Sequence, residues 1–364
     1  MLSQFSISRV RFLSLLAALS LGIAACGGDT ATSPEGTAPA EGGAPAEGGA
    51  EPAASTLSGD ISVDGSSTVF PISEAMAEEF MAANADVRVT VGVSGTGGGF
   101  KKFCAGETQI SNASRPIKKE EIELCATNKI EYIEVPVAYD GLSIVVNNAN
   151  SWATCLTAEE LGKMWEPGAE GKVTKWNQIR ADFPDKELGL YAPGTDSGTY
   201  DYFVEAIVDE FTGKKGSGTR GDGTFSEDDN VIVQGVESNE NGLGFFGYAY
   251  YEENKDKLKL VSIKNAAGEC VEPSETTIAD GTYNPLSRPI FVYVSKTAYA
   301  EKPEVKAFVD YQADSGNALL ISDTGYIPMP ADIVEKVQAR LTAMTTGSIF
   351  EGGATVGVKL SEKL

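Results

Sequence analysis

Four short stretches gather hydroxyl side chains and glycines: Ser66-Ser67-Thr68, Ser94-Gly95-Thr96-Gly97-Gly98-Gly99, Ser111-Asn112-Ala113-Ser114-Arg115-Pro116 and Thr195-Asp196-Ser197-Gly198-Thr199. Small hydroxyl residues and glycines let an anion approach the backbone and add donors of their own, which is the chemistry of oxyanion binding. One of the four also carries an arginine, Arg115.

Each stretch sits between a strand signal and a helix signal. Ile61 to Gly65 reads as a strand, and after the hydroxyl cluster Ile72, Met76, Phe80 and Met81 recur at helical spacing, with Pro71 suited to a first helical turn. Val87 to Val93 alternates like a strand, and the glycine run reads as a turn leading into Phe100-Lys101-Lys102-Phe103-Cys104. Ile110 to Pro116 precedes a helical stretch from Lys118 to Ala126, and Leu188 to Ala192 precedes the apolar-periodic Tyr202 to Phe211. The first N–H groups of a helix lack internal partners, and the aligned peptide dipoles place about half a positive charge there. Ser and Thr are also ordinary N-caps and glycines ordinary turn residues. Four such junctions in one chain favour convergence on an oxyanion. The glycine run lacks the Gly-Lys-Ser/Thr ending of a nucleotide loop.

Composition narrows the chemistry. The chain of 364 residues has no histidine, the usual general base near neutral pH and the commonest metal ligand. Ser-His-Asp and Cys-His hydrolases are excluded as such, with most zinc hydrolases. Carboxylate chemistry such as glycoside hydrolysis stays open, although an acidic surface accounts for Asp and Glu equally well. The net charge of −23 argues against nucleic acid or anionic lipid as a partner. No metal site and no cofactor is expected.

At the N-terminus, Arg9 and Arg11 precede an apolar run from Phe12 to Ala25, shorter than the roughly 20 residues a membrane-spanning helix needs. Residues 1–25 read as a secretory signal. It ends in Ile23-Ala24-Ala25-Cys26, which resembles a bacterial lipobox with Cys26 as the lipidated first residue. An ordinary signal cleaved near Ala24 is the alternative. Residues 26–58 follow as a linker: from Gly27 to Ser58 there is no aromatic residue and one large aliphatic, Leu57, and Ala-Pro-Ala-Glu-Gly-Gly repeats at 38–43 and 44–49. Such a segment cannot offset its chain entropy by burial, so it reads as a disordered tether with a reach of roughly 30 Å. The remaining body, from about residue 59, is long enough for two domains of ordinary size. It holds four cysteines, Cys104, Cys125, Cys155 and Cys270, an even number in an exported chain, which predicts disulfides. A four-thiolate zinc site is the competing idea, and no C-x-x-C spacing supports it.

At Asp64-Gly65-Ser66-Ser67-Thr68-Val69-Phe70-Pro71, Ser94 to Phe100, Ala113-Ser114-Arg115-Pro116, Asp140 to Asn147 and Thr195 to Thr199 the chain resembles the periplasmic phosphate-binding proteins of ABC importers, the PstS family, and more closely its cyanobacterial, SphX-like members. Thr157 to Ile179, closing in Trp176-Asn177-Gln178-Ile179, is similar to that family too. The resemblance implies an α/β, two-lobed periplasmic-binding-protein fold of type II with two crossover hinge strands. Lobe 1 would be 59–138 plus 286–364 and lobe 2 would be 139–285, with crossings near Val137-Ala138-Tyr139 and Asn284-Pro285-Leu286. Pairing Cys104 with Cys125 and Cys155 with Cys270 would keep each disulfide within one lobe.

Carried over by position, the resemblance implies phosphate contacts from Ser67, Thr68, Ser94, Ser197, Gly198 and Thr199, with Arg115 as a charged fork for two phosphate oxygens. The sequence departs from the family pattern in two places: Ser114 stands where an aspartate accepts the phosphate proton, and Pro193 stands where a second-lobe arginine is usual. Asp140 is the candidate replacement acceptor, a hinge residue bonded to backbone being the alternative role. A buried carboxylate there would favour a protonated phosphate over sulfate. Arg220 reads as a loop residue pairing with acidic neighbours or reaching the opposite lobe, and the aromatics of Asn241 to Tyr248 read as core. The implied function is non-catalytic capture of inorganic phosphate by a monomeric, exported, membrane-anchored lipoprotein, periplasmic or at the cell surface, that delivers it to an ABC permease. Rival readings are another oxyanion (sulfate, molybdate, phosphonate), an exported phosphatase with Ser197 as nucleophile, or a sensor or adhesin retaining the fold.

Overall fold

The structure is a computed structural model and describes residues 56–195, 197–351 and 359–364. The signal, Cys26 and nearly all of the linker lie outside the described residues.

In chain order the strands are β1 (Gly59–Gly65), β2 (Val87–Val93), β3 (Ile110–Ala113), β4 (Tyr132–Asn147), β5 (Cys155–Thr157), β6 (Gly189–Pro193), β7 (Thr224–Ser226), β8 (Gly242–Gly247), β9 (Leu258–Leu260), β10 (Ser262–Lys264), β11 (Cys270–Val271), β12 (Ser287–Ser295) and β13 (Ile327–Pro328). The main sheet runs β2-β1-β3-β12-β4-β8-β6-β7, with β9 and β13 also pairing with β4. Five helices position the site: α1 (Phe70–Ala83), α2 (Gly95–Cys104), α3 (Lys119–Thr127), α4 (Ala158–Trp165) and α5 (Gly198–Phe203).

β4 joins the two halves of this sheet. It pairs antiparallel with β12 through Gly141 and with β8 from Leu142 onward. All sixteen of its residues are buried, as expected of a strand covered on both faces. The chain returns through Tyr283 to Leu286, where the Leu142 amide donates to the Leu286 carbonyl at 2.9 Å before β12 begins. This is the two-lobed α/β fold with two crossover strands.

In the first half β1 lies parallel to both β2 and β3, so the three strands end at the same edge: Gly65 is level with Val93 on one side and Asn112 on the other. Helix α1 follows β1 and buries Ile72, Met76 and Phe80, the spacing the sequence predicts, with the Phe80 ring 5.3 Å from Phe308. Met81 is only half-buried. One expectation fails here: the run Gly95 to Gly99 forms the first turns of α2 and not a turn before it. Packing explains this, because a Cβ on Gly99 would stand 2.5 Å from the Gly65 Cα. Only a side-chain-free helix start fits so close to β1, and that fit outweighs the low helix propensity of glycine.

Cys104 at the end of α2 is bonded to Cys125 in α3, and Cys155 in β5 to Cys270 in β11. The first bond fixes α2 against α3; the second closes the small sheet β11-β10-β5. The core of the second half is aromatic: Trp165, Phe203 and Phe245 pack together, the last two stacked at 3.9 Å. Phe245 and Phe246 are thus core, as their sequence pattern predicts.

Candidate functional site

The loops leaving β1, β2 and β3 open into one cleft of ≈ 200 Å³, lined by Ser66, Ser67, Thr68, Gly95, Thr96, Gly97, Ser114 and Arg115 from the first half, with Arg288 from β12 and Asp201 and Glu205 from the second half. Typical organic-ligand pockets run from about 300 to 1,000 Å³, so this volume suits a small ion. Ligands of open α/β sheets gather at the carboxyl ends of the strands, where these loops lie.

Each loop is fixed from beneath. The Ser66 amide donates to the Asn112 carbonyl at 3.0 Å and the Ser94 amide to the Gly65 carbonyl at 3.1 Å. Thr96 Oγ1 accepts from the Ser114 amide at 3.1 Å, and the two hydroxyls lie 3.0 Å apart. The start of α2 contributes the amides of Gly95, Thr96 and Gly97, which have no partners inside the helix. Neither the Ser67 nor the Thr68 amide has a partner among the described residues.

Positive charge gathers here in a chain of net charge −23. Burial, helped by Arg115 and Lys215 nearby, pushes the Lys118 ammonium below its ordinary range, with Glu121 and Glu205 opposing. Arg288 is the deepest of them, 6 % exposed, and β12 contributes it in register with Asp140 of β4. Its Nε donates to Asp140 at 3.3 Å, Nη1 to Glu205 at 3.1 Å and Nη2 to Thr68 Oγ1 at 3.5 Å, while its guanidinium lies 3.6 Å from the Tyr202 ring centroid. Tyr202 is held in turn by a 2.8 Å bond to the Pro285 carbonyl. Arg288 is therefore pre-oriented, with Nη2 the least engaged of its donors.

The second half meets the first closely. A Cβ on Gly198 would stand 2.7 Å from the Thr68 Cα, so only glycine allows this approach. Thr68 Oγ1 donates to the Gly198 carbonyl at 3.4 Å and Ser67 Oγ to Asp201 at 3.1 Å. Asp201 stands exposed in the cleft, and partial desolvation, with Glu205 adding to it, raises its carboxyl above the usual range against the pull of Ser67 and Arg288.

The residues singled out from sequence separate into two groups. Ser67, Thr68 and Arg115 line the cleft; Ser94, Asp140, Ser197, Gly198 and Thr199 do not. The Ser94 hydroxyl is bonded to Asp64, which also takes Lys102 at 2.6 Å, so Ser94 positions the start of α2. Ser197 caps α5 by accepting from the Thr199 amide at 3.2 Å, and among the described residues no base contacts its hydroxyl. Asp140 is 3 % exposed and engaged with Arg288; burial raises its carboxyl above the ordinary value, with Arg288 opposing. It holds Arg288 at 3.3 Å. The fork of Arg115 is bidentate to Glu121 at 2.8 Å on both nitrogens, so its free capacity toward an anion is smaller than its position alone suggests. Arg220 is buried on Asp222 and the carbonyls of Met164 and Val173, within its own lobe.

Arg288, Asp201 and Glu205 were not singled out from sequence. An arginine inside the apolar strand Ser287 to Ser295, just after the second crossing, is the signal that points to Arg288. Asp201 and Glu205 resemble ordinary helix-surface carboxylates. Glu205 lies in the π-helical turn Val204–Asp209 that continues α5, an irregularity frequent at functional sites.

Known proteins share this arrangement of chain. A family model described as a PBP superfamily domain matches residues 50–315. Protein SphX of Synechococcus elongatus is 50% identical over 311 residues, 85% of this chain and 90% of that one. The phosphate-binding protein PstS of Staphylococcus saprophyticus is 40% identical over 284 residues, 78% and 84% of the two chains. The crystal structure of a possible phosphate-binding protein from Planctomyces limnophilus superposes with a TM-score of 0.74 at 44% identity, covering 80% of this chain and 100% of that one. The chain belongs to the PBP superfamily and, within it, to the family of the SphX and PstS proteins.

Proposed function

We propose that this chain captures inorganic phosphate in the cleft between its two lobes and delivers it to the permease of an ABC importer. The observation that carries this reading is the convergence of three strand-end loops, bearing unpartnered amides and a set of hydroxyls, on the buried fork of Arg288. Hydroxyls of Ser67, Thr68, Thr96 and Ser114 and the first amides of α2 surround the anion; Arg288 supplies the fixed charge and Arg115 a second one at the rim. Gly198 closes the cleft against Thr68. Lobe 1 comprises 59–138 and 286–364, lobe 2 comprises 139–285, and their separation about β4 and the 284–286 return admits and releases the ligand.

Asp201 takes the acceptor role that Asp140 is too buried to fill. A carboxylate facing the anion repels an oxyanion with no proton and accepts a hydrogen bond from one that has a proton, so phosphate is retained and sulfate rejected. The protein acts by binding and release, without catalysis of its own. It works as a monomer, tethered through lipid on Cys26 to the membrane that carries the importer.

Equilibrium dialysis of the full-length protein in detergent against labelled phosphate, with sulfate and arsenate as competitors, tests the reading. Saturable phosphate binding displaced by arsenate and not by sulfate is expected; displacement by sulfate at equal concentration counts against phosphate as the ligand. A phosphatase assay on the same sample should show no turnover. Radiolabelled fatty acid should enter the wild-type chain in cells and fail to enter Cys26→Ser.

A further inference from the structure

On β4, Tyr139 and Asp140 point to opposite faces of the strand. Asp140 faces Arg288, on the side of the anion cleft but beneath its lining; Tyr139 lines a second cavity of ≈ 510 Å³. Tyr139 is 3 % exposed, yet its hydroxyl has no hydrogen-bond partner among the described residues, and it lines this cavity. Around it stand Glu275 and Asp280 on the second-lobe side, Asp332 and Lys359 on the other, with Pro328 among the apolar residues of the floor. None of these four charged groups has an ion pair among the described residues. Asp332 and Asp280 are close enough to Tyr139 to push its ionisation further up, beyond the effect of burial.

Three carboxylates opposed by one ammonium, above an apolar floor, complement a cation with an aliphatic body. A bare metal ion fits poorly, because among the described residues no three acidic groups converge closely enough to hold one. The volume falls in the range of organic-ligand sites, about 300–1,000 Å³. We infer that this cavity is a second ligand site, independent of the anion cleft, for an aliphatic di- or polyamine whose ammonium groups reach Asp332 on one wall and Glu275 on the other and donate to the Tyr139 hydroxyl between them. The Tyr139 ring is buried while its hydroxyl, without a protein partner among the described residues, opens to the cavity and is free to accept from an ammonium.

Spermidine is the probe, titrated calorimetrically into the full-length protein in detergent at about 0.1 M salt, where distant surface charges are largely screened. One saturable site is expected. Asp332→Asn and Glu275→Gln should each weaken it ~10-fold and Tyr139→Phe ~5-fold, in line with losing one hydrogen-bonded partner. Asp86→Asn, an exposed carboxylate elsewhere, should change it less than ~2-fold. Phosphate titration of each variant confirms that the fold is retained and separates failure here from failure of the anion cleft. Absence of saturable binding, or equal effects from Asp332→Asn and Asp86→Asn, overturns the inference, since general attraction to an acidic protein explains the second result.

Discussion

The two arginines of the cleft are held in opposite ways. Arg288 is buried on the crossover strands, paired with Asp140 and Glu205 and stacked on Tyr202; Arg115 stands on a loop, at 16 % side-chain exposure, clamped by Glu121 six residues on. A buried charge cannot relax into water, so its partner and its orientation are fixed together. A rim charge is fixed by local chemistry and tolerates change. Arg288 therefore joins the architecture of the crossing to the ligand, while Arg115 tunes the rim.

Removing Arg288 should give the largest effect. Arg288→Met leaves Asp140 buried without a partner, and breaking such a pair costs about 3–5 kcal/mol of stability. Phosphate affinity should fall by roughly 10- to 150-fold, the worth of a charged hydrogen bond. Denaturant unfolding and calorimetry report the two losses separately. Arg115→Gln sharpens the contrast: stability should fall by less than in Arg288→Met, because Glu121 is less deeply buried than Asp140, and affinity should fall roughly 10-fold. Equal destabilisation by the two changes would break the distinction.

Asp201→Asn tests selectivity and leaves both arginines in place. Sulfate binding should appear or rise at least ~10-fold while phosphate binding changes less, because an amide can donate to an unprotonated oxyanion where a carboxylate repels it. The result also separates Asp201 from Asp140 as acceptor.

The Asp140 carboxyl lies above its ordinary value of about 3.9, through burial that Arg288 only partly offsets. As pH rises past that ordinary value the unfolded chain releases the proton while the folded chain keeps it, so this group's contribution to stability falls until its native value is passed. The stability of the wild type minus that of Asp140→Asn should therefore decline as pH climbs above about 4. A rising difference would mean that pairing with Arg288 outweighs burial. The smallest effect concerns the charge beside Arg115: Lys118→Gln should slow phosphate association at low ionic strength by a few-fold and not at about 0.5 M salt, as stopped-flow binding would show.

Local signals in the sequence carry the strand-to-helix junctions well, because caps, prolines and apolar spacing act over a few residues. Strand β1, helix α1 and the aromatic core of β8 follow from them. The glycine run misleads, since the close passage of α2 over Gly65 is a tertiary constraint and propensity points the other way. Arg288 is hidden for a related reason: its position depends on the register of β12 against β4, which brings it to Asp140 from 148 residues away. Ser197 caps its helix at the expected junction, Ser94 precedes α2 directly only because the glycine run is helical, and both hydroxyls are engaged in holding those starts in place.

A crystal structure of the protein grown with phosphate tests the central claim most directly. The account predicts a tetrahedral anion about 3 Å from Nη2 of Arg288 and from the hydroxyls of Ser67 and Ser114, with Asp201 beside one oxygen. Phosphate bound elsewhere, or an anion whose only arginine is Arg115 while Arg288 stays out of reach, contradicts it.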